Sequence, residues 1–354
     1  GFPWADIAAD GSSIIGKHDE TGGEVSIGTV TSQLLYEIGS PSYLGPDVTA
    51  RFDTVELEQL SPDRVQIEKA KGEPPPETLK VSMNKLGGFR TDMSIALTGL
   101  DIEEKAKLVE EAFWKACPHE PVDFESVKTK VVRTDKYDPA TNEEAVALWK
   151  ITLKDSDERK VGRAIFNSVN ELGLATIPGM FGVGGGGNAR PFGIHWPALI
   201  PSDLVPQHVI FREGKRTMVE SHISTDSFTV DLVDEKIEKI DFGSTTKAPL
   251  GLITGARSGD KTGNANLGVF TRTEEAWIWL DNFLTTDKFQ ELLPETADLK
   301  VDRYRLPKIY SLNFVVHGLL EEGVAASTRQ DSQAKSFGEW LRARVVDLPE
   351  RFIG

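Results

Sequence analysis

The stretch DIEEKAKLVEEAFWKAC, residues 101–117, decides the fold of the middle of the chain. Its apolar side chains recur with the spacing of an amphipathic helix. We expect Asp101 to begin this helix and Glu104 to complete a capping box with it. The apolar face that turns toward a core is formed by Leu108, Val109, Ala112 and Phe113.

The segments around this helix alternate polar and apolar residues, as half-buried strands do. One such segment precedes the helix, two follow it, and a second amphipathic helix comes next: TDMSIALTG, VKTKVVRTD, LWKITLKD and ERKVGRAIFNSVNELGLA. The order strand, helix, strand, strand, helix from Thr91 to Ala175 is that of a split β-α-β, ferredoxin-like layer.

The two flanks of this layer also predict helices and short strands. Before it, a helix over Val25–Ile38 is capped by Ser26 and stops at Gly39. After it, HVIFRE and FTVDLV predict strands, and the charged stretch DEKIEKIDFGSTTK marks a boundary. The last hundred residues predict strands PLGLITGA, ANLGVFTR, LKVDRYRLP and SLNFVVHG with helices EEAWIWLDNFLTTDKFQELLP and AKSFGEWLRARV. We therefore expect an α+β protein of mixed sheets with helices on one face, with domains over residues 1–240 and 247–354.

Composition and charge exclude several partners. The net charge is −15, and no segment concentrates Lys and Arg, so neither nucleic acid nor an anionic membrane is expected to bind. No apolar run has the length of a membrane span. Cys117 is the only cysteine, and we expect an inert, partly buried thiol. A reducing compartment follows, with the cytoplasm the first expectation and the mitochondrial or peroxisomal matrix left open.

Residues 179–197, GMFGVGGGGNARPFGIHWP, contain four consecutive glycines. We expect a flexible loop in which Gly184, Gly185 and Gly186 let backbone amides approach an oxyanion. The glycines also match the dinucleotide pattern G-x-G-x-x-G, but no strand precedes them and prolines follow where a helix is needed. A dinucleotide cofactor is therefore not expected.

A second polar, glycine-rich stretch is GARSGDKTGNAN, residues 255–266. It differs from a nucleotide-binding Walker loop because Asp260 separates the glycine from Lys261. We expect a connection between two strands that is either an ion-paired turn or a ligand site. The ligand-binding candidates here are Arg257, Ser258, Lys261 and Asn266, with Asp260 as a proton carrier.

The histidines are scattered, and none has the spacing of a metal site, so we expect neither a metal nor another cofactor. His195 stands out because Arg190 and Trp196 flank it beside the glycine run. It is either a general acid or base, with Arg190 binding an anionic group, or a histidine hydrogen-bonded within a proline-rich corner. No G-x-S-x-G elbow indicates a serine hydrolase.

Several long stretches resemble the acyclic terpene utilisation family. They include TGGEVSIGTVTSQLLYEIGSPSYLGPDVTARFDTVELEQL, ATIPGMFGV, PFGIHWPALIPSDLVPQHV, RSGDKTGNANLGVFTRTEEAWIWL and SLNFVVHGLLEEGVAASTRQDSQAKSFGEWL. The matching motif positions include Tyr36, Glu37, His195, Asp260 and Asn313. The resemblance implies a small C-terminal domain of ferredoxin-like fold. It also implies that a larger N-terminal region, absent from this chain, is supplied by a removed segment or by a companion chain.

The family resemblance implies a role in the breakdown of branched, isoprenoid-like acids, often as acyl-CoA thioesters. Two hypotheses follow for this chain. It is an enzyme of lyase or hydratase type whose glycine run closes over an anionic substrate, or a non-catalytic assembly or ligand-binding subunit. A homo-oligomer is expected in either case.

Overall fold

The structure is a computed structural model that describes residues 2–175, 177–185, 187–220 and 240–353. Packing divides the chain into two compact units. The first consists of Gly1–Met83 together with His195–Gly354, and the second is the intervening Asn84–Ile194. The strand predicted at FTVDLV and the first part of the predicted boundary stretch lie outside the described residues.

The N-terminal part of the first unit is made of short strands and one helix. Its elements are β1 Pro3–Ile7, β2 Ser13–Lys17, α1 Ile27–Leu34, β3 Ser42–Leu44, β4 Thr49–Arg51, β5 Glu56–Ser61, β6 Arg64–Glu68, β7 Lys71–Glu73 and β8 Thr78–Val81. Ser26 caps α1 as predicted, because its side chain and that of Thr29 accept each other's backbone N–H. The helix ends a full turn earlier than predicted, so Tyr36 and Glu37 lie in the turn that follows it.

The second unit confirms the layer predicted between Thr91 and Ala175. Its elements are β9 Asn84–Thr98, α2 Ile102–Ala116, β10 Ser126–Val132, β11 Val146–Asp155, α3 Arg163–Leu172, β12 Met180–Gly185 and β13 Arg190–His195. The strands lie in the order β10-β11-β9-β12, with β13 also paired to β9. The first strand of the layer therefore lies between its third and fourth strands, as the ferredoxin-like topology requires.

Helix α2 differs from its prediction in two respects. Its buried stripe is Ile102, Ala106, Val109 and Phe113, whose spacing follows the 3.6-residue period closely. Leu108 is displaced from that stripe and 50% exposed. The predicted capping box is wrong, because Asp101 is in the left-handed region at φ +57° and its side chain makes no capping hydrogen bond.

The glycine run is a strand up to Gly185, and the flexible loop expected there is wrong. Met180, Phe181 and Gly182 pair with β9, and the register shifts before Gly185 pairs with Met93. Gly184 lies in this shift at φ +111°, a conformation that favours glycine. Local composition suggested a loop, whereas the open edge of β9 supplies the partner that makes a strand.

The C-terminal part of the first unit continues from residue 198. Its elements are β14 Ala198–Pro201, β15 Gln207–Ile210, β16 Arg216–Val219, β17 Thr245–Pro249, β18 Gly255–Lys261, β19 Asn264–Phe270, α4 Glu274–Phe283, α5 Thr286–Leu292, β20 Val301–Leu306, β21 Ser311–Val316, α6 Phe337–Ala343 and β22 Val345–Pro349. The one long helix predicted over EEAWIWLDNFLTTDKFQELLP is two helices, because Thr285 caps a new one. The connection predicted at residues 255–266 is itself β18 and the start of β19, joined by a two-residue turn.

The C-terminal sheet has the order β18-β19-β21-β20, and its two faces are covered differently. Helices α4, α5 and α6 pack on one face, as predicted, around fully buried residues such as Leu267 and the stacked rings of Phe289 and Phe314, whose centroids are 4.2 Å apart. Leu35, Ile38 and Val55 from the N-terminal part share a buried cluster with Phe270, Leu306 and Ile309 of this sheet region. Residues of the N-terminal part thus cover the second face, and the turn after α1 lies beside β18.

Candidate functional site

The functional candidates of residues 255–266 lie on an antiparallel hairpin. Successive side chains of a strand point to opposite faces, so Arg257, Gly259 and Lys261 share one face of β18 and Ser258 and Asp260 the other. Because β18 is an end strand of its sheet, groups from both faces can meet at its open edge. We call the group Tyr36, Glu37, Arg257, Asp260, Lys261 and Lys335 the hairpin site.

Two glycines allow the turn after α1 to reach the hairpin. A methyl group at Gly259 would lie 2.6 Å from Cγ of Glu37 and 2.9 Å from Cε2 of Tyr36. A methyl group at Gly268 would lie 2.4 Å from Cβ of Leu35. Both distances are shorter than carbon–carbon contact permits, so only glycine allows this approach.

A pair of buried amides fixes the turn on the sheet. Asn266 is fully buried; its Oδ1 accepts from the backbone N–H of Glu37 at 2.8 Å, and its Nδ2 donates to the carbonyl of Leu35 at 3.0 Å. The same Nδ2 also donates to Oδ1 of Asn313, whose own Nδ2 donates to the carbonyl of Gly39 at 2.6 Å. Asn266, expected to bind ligand, is therefore a residue that positions Glu37.

Lys335 joins the acidic groups of the hairpin site. Its Nζ donates to Oη of Tyr36 and to Oε1 of Glu37 and lies 3.5 Å from Oδ1 of Asp260. Burial alone would raise the pKa of Glu37, but the hydrogen bonds from Lys335 and Tyr36 outweigh it and hold that pKa below its usual range. Burial would lower the pKa of Lys335, and its contacts with Glu37 and Tyr36 raise it instead. The Lys335 ammonium is thus committed to its neighbours.

Arg257 is exposed and oriented by an aromatic ring. Its guanidinium carbon lies 4.3 Å from the centroid of the Tyr36 ring, within the range of a cation–π contact. Its side chain makes no ion pair and no hydrogen bond with the described residues. The arrangement can bind a carboxylate or phosphate through two parallel hydrogen bonds.

Lys261 is the half-buried cation of the hairpin site that lacks a partner within the described ranges. A methyl group at Gly39 would lie 4.0 Å from its Cε, which locates the side chain against the turn after α1. Burial lowers the pKa of Lys261, and the charge of Lys80 lowers it further, while Glu37 and Asp260 act in the opposite direction. A lysine whose pKa is lowered is neutral more often than an exposed lysine, and the neutral amine can accept a proton.

Ser258 is a buried structural residue. Its Oγ donates to the carbonyl of Ala334 at 2.6 Å and accepts from the N–H of Gly338 at 2.8 Å. Both hydrogen-bonding functions of the hydroxyl are used in joining β18 to the start of α6. The structure therefore gives this ligand-binding candidate a packing role.

His195 lies close to the tip of the hairpin. A methyl group at Gly323 would be 3.5 Å from Cβ of His195 and 3.6 Å from the carbonyl oxygen of Thr262, the residue after Lys261. His195 is half-buried, and Trp196 beside it is exposed. The structure therefore brings His195, a candidate outside residues 255–266, to the tip of the hairpin.

The remaining candidates belong to the second unit. Gly184 and Gly185 are part of β12, Arg190 is the exposed first residue of β13, and Gly186 lies outside the described residues. In this unit burial alone would raise the pKa of Asp92, but hydrogen bonds from Arg90 and Thr152 and the charges of Arg90 and Arg190 lower it. Arg190 thus acts on a carboxylate of its own unit.

Three further features concern the cysteine, metal-ligating side chains and helix length. Cys117 is half-buried, and burial raises the pKa of its thiol, which makes the thiolate scarce at neutral pH. In the part of the chain that the structure describes, no group of three or more His, Cys, Asp and Glu side chains is arranged to hold a metal ion. None of the described helices has the length and apolar character needed to cross a bilayer.

Sequence reasoning missed Lys335 altogether. Tyr36 and Glu37 were identified by family resemblance alone, because their chemistry depends on a residue about 300 positions away. The signal that could have found them is the pair Gly259 and Gly268 within strands, since glycine in a strand often marks the close approach of another backbone.

The comparison with protein families identifies the chain. The family model described as acyclic terpene utilisation family protein AtuA matches residues 1–211. The chain belongs to the acyclic terpene utilisation family. A second model, the AtuA ferredoxin-like domain, matches residues 248–347, which contain β18, β19 and the whole of α6. Family membership links the chain to acyclic terpene utilisation. No curated protein and no solved structure gives a significant match.

Proposed function

We propose that this protein is an enzyme of lyase or hydratase type that acts on a branched-chain or terpenoid acid, or on its acyl-CoA thioester, at the hairpin site. The observation that carries the proposal is the half-buried Lys261, which has no ion-pair partner among the described residues and lies within the electrostatic reach of Glu37 and Asp260. Membership of the acyclic terpene utilisation family supports the substrate class.

Arg257 is suited to hold the anionic end of such a substrate. The guanidinium has no ion-pair partner among the described residues, and its contact with the Tyr36 ring restricts its side chain, so less side-chain entropy is lost when a carboxylate or phosphate binds. The net charge of −15 makes a local positive group valuable, because elsewhere the surface repels anions.

Proton transfer at the site falls to Lys261 and Asp260, with His195 as a third candidate at the hairpin tip. Lyases and hydratases remove or add a proton beside a carbonyl group, and a group whose pKa lies near the working pH does this best. The lowered pKa of Lys261 moves it in that direction. Asp260 lies within the electrostatic reach of the same amine.

The test is turnover of a panel of branched-chain and acyclic terpenoid acids and their CoA thioesters, with products identified by mass spectrometry. We expect at least one to be converted, Lys261→Met and Asp260→Asn to abolish conversion, and Arg257→Ala chiefly to raise KM. Lys247→Met and Arg272→Ala, at exposed positions of the same unit, are the matched controls. Folded protein that converts no member of the panel contradicts the proposal, and unchanged turnover in His195→Ala removes His195 from it.

A second candidate function, an assembly subunit, is favoured by the apolar surface of residues 196–219. Exposed side chains there include Trp196, Leu199, Leu204, Ile210 and Met218. Among the described residues, strands β15 and β16 pair only with each other, and a two-stranded sheet has little stability in water unless another segment or chain covers it. Light scattering that shows a stable complex, together with no affinity for any acid or thioester, supports this alternative.

A further inference from the structure

We propose that Lys261 is a nucleophilic amine that forms an imine with the carbonyl carbon of a ketone or aldehyde substrate. The inference deepens the proposed function and rests on it for the location of the site. It names a substrate class that the family does not specify, a carbonyl compound whose acidic group Arg257 holds.

The amine of Lys261 is available to react. Lysines in this unit commonly form ion pairs, as Lys335 does with Glu37, Lys69 with Glu56 and Lys247 with Asp347. Lys261 forms none with the described residues, although Glu37 and Asp260 are near enough to influence it. The fold instead gives Glu37 to Lys335, through the positive φ of Glu37 and the hydrogen bond from its N–H to Asn266. The lone pair of Lys261 is therefore accessible whenever the amine is neutral.

The surroundings of Lys261 favour its neutral amine. A lysine becomes nucleophilic when it is desolvated or placed beside another cation. Lys261 has both features: it is half-buried against the turn at Gly39, and the ammonium of Lys80 on β8 acts on it. Exposed lysines such as Lys247 lack the first feature.

Groups that can carry protons lie near Lys261. Nζ of Lys261 attacks the carbonyl carbon, a C–N bond forms, and the carbonyl electron pair moves to oxygen, which takes a proton. The nitrogen loses a proton to a carboxylate, for which Asp260 and Glu37 are the neighbours. Protonation of the hydroxyl then releases water and leaves the protonated imine. Amine and carbonyl give imine and water, so neither an oxidant nor a reductant is needed.

An imine at this position gives lyase chemistry a physical basis. The protonated imine withdraws electrons from the adjacent carbon, which eases removal of a proton or cleavage of a carbon–carbon bond there. A thioester cannot form this adduct, because attack on it expels the thiol and leaves an amide. The two substrate classes are therefore distinguished by the product on Lys261.

The experiment is reductive trapping of the full chain with two probes, the keto acid 4-oxopentanoic acid and the acyclic terpenoid aldehyde geranial. Sodium borohydride is added, and peptide mass spectrometry compares the adduct at Lys261 with that at Lys247. We expect one adduct per chain, several-fold higher at Lys261 and retained at neutral pH. It should be absent from Lys261→Arg, which keeps the charge but has no nucleophilic amine. Lys80→Met should lower the reactivity of Lys261, because it removes the neighbouring cation.

Equal modification of Lys261 and Lys247, or no adduct, overturns the inference. Because the comparison is made within one wild-type chain, it does not depend on whether a variant folds. Conversion of thioesters without any adduct is consistent with the proposed function and contradicts the formation of an imine. An adduct at Lys261 without turnover of the panel supports a carbonyl-binding amine and contradicts the proposed lyase or hydratase activity.

Discussion

Replacement of Asn266 by Ala tests whether the buried amides hold the turn after α1 on the sheet. The side chain of Asn266 forms hydrogen bonds with three groups: the N–H of Glu37, the carbonyl of Leu35 and Oδ1 of Asn313. Each buried polar group left unsatisfied costs about 1–3 kcal/mol. Because the loosened turn can readmit some water, we use the lower part of this range, and three groups then give about 3–5 kcal/mol.

Asn264→Ala is the matched control on the same strand and face. Asn264 is half-buried, and among the described residues its side chain has one hydrogen bond, in which Oδ1 accepts from the N–H of Gly318 at 2.9 Å. Its loss should cost about 0.5–1 kcal/mol. Asn266→Asp separates hydrogen bonding from packing, because it keeps the side-chain volume but turns an acceptor toward two other acceptors.

The assay is hydrogen–deuterium exchange across a urea series, read on peptides of β19 and β21. Local exchange is needed because two compact units need not unfold together. We expect Asn266→Ala and Asn266→Asp to lower the free energy of unfolding in these peptides far more than Asn264→Ala does. Equal losses in Asn266→Ala and Asn264→Ala, or a full rescue by Asp, would refute the reasoning.

Three further predictions follow from the same unit. Gly259→Ala should cost about 1–3 kcal/mol in thermal unfolding because its methyl group overlaps Glu37, whereas Gly22→Ala, with open space around it, should be nearly neutral. Ser258→Ala should lower the free energy of unfolding in urea by about 1–3 kcal/mol, since the N–H of Gly338 loses its acceptor; a neutral result would contradict the packing role of the hydroxyl. The pKa of Glu37 is lowered by folding, so its stabilisation is complete above its ordinary value of 4.5 and is lost as pH falls below it. Glu37→Gln should therefore flatten the acid limb of stability against pH, and an unchanged limb would show that Glu37 does not contribute.

Local patterns were enough to predict the ferredoxin-like layer of the second unit. Val109 and Phe113, two residues of the apolar face predicted for α2, are buried there, and Ser26 caps α1 through a residue three positions away. Such signals lie within one or two turns of chain, where spacing and side-chain chemistry decide the structure. The family resemblance added the fold of the C-terminal domain.

Features that depend on distant partners could not be predicted in this way. Residues up to Gly185 form a strand because they pair with the edge of β9, and a run of glycines does not predict that pairing. Ser258 and Asn266 look like ligand-binding residues until Ala334, Gly338 and Leu35 are seen to use their polar atoms. Lys261 was identified for its charge, whereas only the structure shows that none of the residues it describes forms an ion pair with this amine.

The amide pair also determines when the protein can become native. The turn after α1 is synthesised more than 200 residues before its anchors on β19 and β21. Unit two can fold while translation continues, because all of its strands are contiguous in the chain. The turn after α1 must instead wait for the carboxyl-terminal third of the chain, with its backbone groups unsatisfied and Leu35 and Ile38 open to chaperones or to aggregation in the interval. Slowing elongation downstream of residue 194 should thus lower the yield of active protein more than slowing it earlier.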